Sequence, residues 1–188
     1  MEHSIKYFGL NNVGLENDLR RVARDKKITL RPPRTKSNRD AYYPQITEEI
    51  RHNAAMMAEH YELFYCLEVS IRDVIRAKLV EADKDWWQNL VQESVRVSAI
   101  ANKKKEVETG VAPRSEDWLD YTNFGDLGQI ISANWALFSD LFTDPKAVQN
   151  TLYRLNTLRA PIAHCSLLGE DEVLLLRYSL RAWFRLME

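Results

Sequence analysis

What this chain lacks already excludes several classes of protein. Only two of its 188 residues are cysteines, Cys66 and Cys165, too few for a disulfide framework or a four-cysteine zinc site. Six glycines and six prolines disfavour a turn-rich all-β chain. No run approaches the roughly 18 consecutive apolar residues of a membrane-spanning helix. The opening MEHSIKYFGLNN lacks the basic start and apolar stretch of a signal peptide, so a cytoplasmic protein with no membrane partner is expected. There is no Gly-rich phosphate loop and no H-E-x-x-H pair. The histidines His3, His52, His60 and His164 are scattered, and Glu-x-x-His on each of two helices, as a di-iron bundle requires, is missing. Neither a metal nor another cofactor is expected.

What is present is an ordinary globular composition, 45% hydrophobic and 28% charged, on a chain long enough for one domain plus an appendage. The formal net charge of −1 hides an asymmetry. Residues 20–39 hold nine bases (Arg20, Arg21, Arg24, Lys26, Lys27, Arg31, Arg34, Lys36, Arg39) against one acid, Asp25. The remainder of the chain is therefore acidic. Such an arm suits the phosphates of a nucleic acid or an acidic protein surface, or it packs on its own acidic body. Pro32-Pro33 favours extended backbone there over a basic helix.

Beyond Tyr42 nearly everything reads helical. Ile50, Ala54, Met57, Tyr61, Phe64, Leu67, Ile71, Val74, Ile75 and Leu79 recur at spacings of three and four, one apolar stripe that predicts a helix over residues 47–82 with Thr47 as N-cap. Asp85 is placed to cap a second helix over residues 86–108, whose Lys103-Lys104-Lys105 suits a helix C-terminus. An apolar run covers residues 130–142. Asp144-Pro145 is a helix start, and that helix carries Val148, Leu152, Leu155 and Leu158 inward. A final helix opens at residues 169–172, with Val173, Leu176, Leu180, Trp183, Phe184 and Met187 as core candidates. The expected architecture is all-α: a bundle of four to six helices over residues 42–188, preceded by a basic arm over residues 1–41.

One segment combines chemically useful groups: Leu155-Asn-Thr-Leu-Arg159-Ala-Pro-Ile-Ala-His164. An undisturbed helix separates residues five apart by about 140°. Pro161 removes a backbone donor, so a kink near residues 158–159 is expected to turn Arg159 and His164 toward one cleft. Histidine moves protons near neutral pH and arginine clamps phosphate through a fork of donors. Together they suit phosphodiester cleavage by the neighbouring 2′-hydroxyl. The plainer reading is a histidine at a helix end and an arginine paired with an acid.

The surroundings favour the chemical reading, because the chain resembles the HEPN superfamily and, within it, the Swt1-like HEPN group. Tyr61-Glu-Leu-Phe-Tyr-Cys-Leu-Glu68-Val-Ser-Ile-Arg72 looks like that family's E-x3-[K/R] helix. Trp86-Trp87 and Asp120-Tyr-Thr-Asn-Phe-Gly-Asp-Leu-Gly-Gln-Ile-Ile131 look like its Swt1-type connecting region, and Arg159-Ala-Pro-Ile-Ala-His164 matches R-x4–6-H. The resemblance covers about three quarters of the chain. It implies a helical bundle that pairs as a homodimer, with the motifs meeting across one RNA cleft. Arg159 and His164 become the catalytic residues, the phosphate clamp and the general acid or base. Glu68 and Arg72 become an accessory pair that orients them. Arg20, Arg21, Arg24, Lys26, Lys27, Arg31, Arg34 and Arg39 then add affinity for the RNA backbone. The function implied is metal-independent cleavage of RNA by a toxin or phage-defence effector, with an antitoxin or other regulatory protein as a further partner. One departure stands out. Active members often carry a polar residue directly after the motif arginine, and here that position is Ala160. A second reading follows, a non-catalytic dimer that binds RNA or a partner protein as a scaffold.

The other reactive side chains have plainer expectations. His52 and His60 read as surface residues, and Cys66 as a small buried one. Adjacent helical residues point about 100° apart, which leaves Cys165 and His164 a poor dyad. Trp86, Trp87, Trp118, Trp135 and Trp183 read mostly as core or dimer interface.

Overall fold

The computed structural model describes residues 45–110 and 112–187. The chain divides between Thr47 and Glu48, and the helical body is the second unit, Glu48–Glu188. The basic arm with Arg20, Arg21, Arg24, Lys26, Lys27, Arg31, Arg34 and Arg39 lies outside the described residues. All regular structure among the described residues is helical, in an all-α bundle. None of these helices is long and apolar enough to cross a membrane.

The first helix, α1, runs Glu48–Ala82, with acids Glu48 and Glu49 in the first turn, where the helix dipole favours them. Its apolar stripe is fully buried from Phe64 onward, through Phe64, Leu67, Ile71, Ile75 and Leu79, with Met57 packed partly buried against the core before it. Ile50 and Tyr61, placed on the same stripe by periodicity, are exposed. Periodicity defines a face; whether another element reaches it is decided by tertiary packing.

The segment predicted as one helix over residues 86–108 is two. A single turn, α2 (Trp86–Asn89), is followed by a break at residues 90–92 and then by α3 (Glu93–Glu108). Gln92 is extended, with φ −58° and ψ 144°, and becomes the N-cap of α3. Trp87, Val91, Val95 and Ala99 are all buried. In one straight helix, residues spaced repeatedly by four would drift about 40° at each step, and the break resets that drift. Asp85 makes no side-chain cap; the Asp83 carboxylate instead accepts the Asp85 N–H at 2.7 Å and Asn89 Nδ2 at 2.8 Å. The last carbonyls of α3 are met by Thr109 Oγ1 rather than by lysines. Lys103 lies over the Trp118 ring, 4.7 Å from its centroid.

A 3₁₀ turn, Trp118–Tyr121, leads into α4 (Phe124–Ala133) and the single turn α5 (Trp135–Phe138). Asn134 separates these two, its Nδ2 donating to Leu90 O and Ile130 O. Helix α6 (Pro145–Ala163) starts as its sequence dictates: Asp144 Oδ1 accepts the Ala147 N–H at 2.6 Å and Pro145 stands in the first turn. Helix α7 (Glu170–Arg185) opens with the Gly169 N–H donating to Glu172 Oε2 at 2.7 Å. The Thr143 N–H donates to Leu186 O, so α6 and α7 run antiparallel, with Trp183 packed on Phe142 at 5.1 Å between ring centroids. Helices α4 and α6 both pack on α1, with Phe64 edge-on to Phe124. Each large apolar side chain buried in this core contributes about 1.5–3 kcal/mol.

Candidate functional site

The E-x3-R spacing puts Glu68 and Arg72 on one face of α1. Arg72 Nη2 donates to Glu68 Oε1 at 2.6 Å and to Thr122 O at 2.9 Å, while its Nε donates to Leu119 O at 3.2 Å. One guanidinium thereby fastens the 3₁₀ turn to α1. The other carboxylate oxygen of Glu68, Oε2, accepts Arg159 Nε from α6 at 3.1 Å. Residues 91 positions apart in sequence thus share one carboxylate. The Glu68 and Arg72 side chains keep only 16% and 12% of their surface exposed, and Arg159 keeps 38%. Two cations face one anion, so the cluster carries a formal surplus of one positive charge. Arg159 spends only Nε on Glu68; among the described residues its terminal nitrogens have no partner. A partly exposed guanidinium anchored at Nε, with its terminal nitrogens uncommitted, is suited to a phosphate or carboxylate.

His164 is placed differently. Helix α6 stays helical across Leu158 and Arg159, keeps Pro161 in its last turn, and ends at Ala163. The kink expected near residues 158–159 does not interrupt the helix, which gives way at His164 itself, the C-cap, with φ −103° and ψ 20°. The Ser166 N–H donates to Pro161 O at 2.8 Å and the Cys165 N–H to Ile162 O at 3.4 Å, the paired bonds of a Schellman turn. The left-handed position of that turn is Cys165, φ 58°, where glycine is usual. This turn fixes the His164 backbone; the imidazole is exposed and makes no hydrogen bond to a described residue. The fold therefore gathers Glu68, Arg72 and Arg159 into one network and leaves His164 just beyond it, on the same helix end.

Sequence reasoning missed the second strap between α1 and the 3₁₀ turn. Arg76 donates to Asp117 Oδ2 at 2.5 Å, to Asp120 Oδ1 at 3.1 Å and to Asp73 Oδ1 at 2.7 Å. Burial works against the Arg76 charge, but these carboxylates outweigh it and raise its pKa. The readable signal was Arg-x3-Arg at residues 72 and 76 beside Asp-x2-Asp at residues 117 and 120. A cleft of about 430 Å³ opens on that side, lined among others by Arg76, Val80, Trp86, Trp87 and Trp118. Glu68, Arg159 and His164 take no part in it.

The remaining candidates sort simply. His52 is exposed and His60 half-buried. Cys66, expected to be buried, is exposed, as is Cys165, and both are free thiols. The reason is angular, since Cys66 sits about 100° around α1 from the buried Leu67. Trp87 and Trp183 are buried, and Trp86, Trp118 and Trp135 pack partly buried against the core.

Comparison with family models, with curated proteins and with solved structures finds no match to this chain.

Proposed function

We propose that this protein is a cytoplasmic, homodimeric, metal-independent endoribonuclease of the HEPN type, acting as a toxin or phage-defence effector under the control of an antitoxin or similar partner. The observation that carries this reading is the shared Glu68 carboxylate, which holds Arg159 by Nε and leaves its fork for a phosphate. The RNA 2′-hydroxyl gives up its proton to a base and attacks the adjacent phosphorus, the P–O5′ bond breaks, and the 5′-oxygen departs with a proton from an acid. The products are a 2′,3′-cyclic phosphate and a 5′-hydroxyl. Arg159 stabilises the charge that builds on the phosphoryl oxygens, and His164 carries a proton as general acid or base. Glu68 and Arg72 position Arg159, and the basic residues 20–39 add sequence-independent affinity.

The test incubates the purified protein with total RNA in excess EDTA, beside Arg159→Ala and His164→Ala. Cleavage with cyclic phosphate ends is expected from the wild type and reduced at least about 100-fold in each variant. Cleavage that survives either substitution, or folded wild type that cuts nothing, overturns the nuclease. A second reading has its own observation: Ala160 brings no hydrogen-bonding side chain, and the His164 imidazole has no partner among the described residues. On that reading the dimer binds RNA or a protein at the Arg159 fork and makes no new RNA ends.

A further inference from the structure

The face of α1 that carries Glu68 and Arg72 does not begin there. Tyr61, Tyr65, Glu68 and Arg72 are spaced four, three and four, so they form one continuous line along the helix. Beyond Arg72 that line is closed, because the 3₁₀ turn lies across it through Leu119 O and Thr122 O, and Arg76 is held by Asp117 and Asp120. In the other direction it is open. Tyr65 and Tyr61 keep 61% and 62% of their surface exposed, although the helical pattern would have put Tyr61 in the core. Helix geometry sets the Tyr65 Cβ about 5–6 Å from that of Glu68, the residue that holds Arg159. The two tyrosine rings lie 6.4 Å apart between centroids and are inclined by 34°. A base held between them would need about 7 Å, two van der Waals contacts, and parallel rings. Each ring therefore offers its outer face.

We infer that Tyr65 and Tyr61 form a stacking track for the unpaired bases of a single-stranded nucleic acid whose phosphate sits on Arg159. The inference rests on the reading of Arg159 as a phosphate clamp and adds which part of the RNA is recognised and by what. Exposed aromatic rings on the helix face that holds a partly exposed arginine supply the two elements of single-strand recognition, π-faces for bases and a cation for the backbone. A duplex keeps its bases stacked inside and cannot use the rings. The track makes the protein selective for loops and unpaired ends.

The experiment measures fluorescence anisotropy of a labelled 2′-O-methyl oligonucleotide, which cannot be cleaved because its 2′-oxygen is blocked, as a single strand and annealed to its complement. Tyr61→Ala and Tyr65→Ala are each expected to weaken single-strand binding about tenfold. Tyr61→Phe and Tyr65→Phe are expected to stay within about twofold of wild type, because stacking needs the ring and not the hydroxyl. Duplex binding changes little in any of them. Alanine variants that bind the single strand like wild type, while Arg159→Ala weakens it, overturn the track and leave the clamp standing. Phenylalanine variants that lose as much as alanine ones also overturn it, since the hydroxyl would then carry the contact. Sedimentation of the same variants closes the remaining route: a dimer that falls to monomer on Tyr61→Ala or Tyr65→Ala makes this face a protein interface instead. Wild type that binds no single strand takes the clamp down with the track.

Discussion

Glu68 stands between two arginines, and its charge decides whether they can be neighbours. Glu68→Gln keeps the shape but leaves the Arg72 and Arg159 guanidinium groups without an anion, in a site where Glu68 and Arg72 are largely shielded from water. Hydrogen bonds to charged groups contribute about 1.5–3 kcal/mol, so the substitution is expected to cost about 1–3 kcal/mol of stability. Arg159→Ala removes a side chain 38% exposed and leaves Glu68 still paired with Arg72, so its cost is expected to be under about 1 kcal/mol. Urea unfolding at neutral pH, with an unchanged m-value, measures both. An Arg159→Ala variant less stable than Glu68→Gln would mean that Glu68 does not hold the cluster together. At this scale the sequence was half legible. The four-residue step from Glu68 to Arg72 puts both on one face whatever the fold, but the bond to Arg159 depends on how α6 lies against α1. Tyr61 illustrates the converse: its spacing matches that of buried Phe64, and only the absence of a covering element among the described residues distinguishes them.

The helices themselves were written most plainly where capping and periodicity agree. Helix α6 has both, with Asp144-Pro145 at its start and Val148, Leu152, Leu155 and Leu158 buried along it. The break between α2 and α3 was not written, because nothing at residues 90–92 is a glycine or proline; what favours it is burial of Trp87, Val91, Val95 and Ala99 together. The same holds for Asn134, whose side chain ends α4 by binding Leu90 O across the fold as well as Ile130 O within its own helix. These are tertiary choices that local propensity does not contain. The α6 cap is testable as local chemistry. Asp144→Ala removes the acceptor of the Ala147 N–H and is expected to cost about 1 kcal/mol, while Asp144→Ser, which restores an acceptor, recovers most of it. Thermal unfolding of the three proteins checks the order. Equal loss in the serine variant would show that the carboxylate, not the cap, is what α6 needs.

Across the whole molecule, α1 is joined to its surroundings by the cations Arg72, Arg76 and Lys78, and the Lys78 joint responds to pH. Lys78 of α1 donates to Asp140 Oδ2 in the connection between α5 and α6 at 2.5 Å, across 62 residues of sequence. That hydrogen bond, aided by the Lys78 charge, holds the Asp140 carboxyl below its ordinary pKa. A carboxyl whose pKa is lower folded than unfolded binds a proton more readily in the unfolded chain. The contribution of the pair is therefore complete above the unfolded value of about 3.9 and is lost as pH falls through the lower, folded one. Stability is expected to be flat in this respect from pH 7 to about 5 and to decline below about 4. Lys78→Met isolates the pair: its destabilisation relative to wild type should hold steady above about pH 5 and shrink toward zero as Asp140 is protonated. Urea midpoints measured from pH 7 to 2.5 follow that difference. Because Asp140 is itself well exposed, salt screens the pair, and the difference should narrow in high salt at neutral pH as well. A Lys78→Met deficit that ignores both pH and salt would assign the loss to packing of the lysine stem against the core, and α1 would then be held there by apolar contact alone.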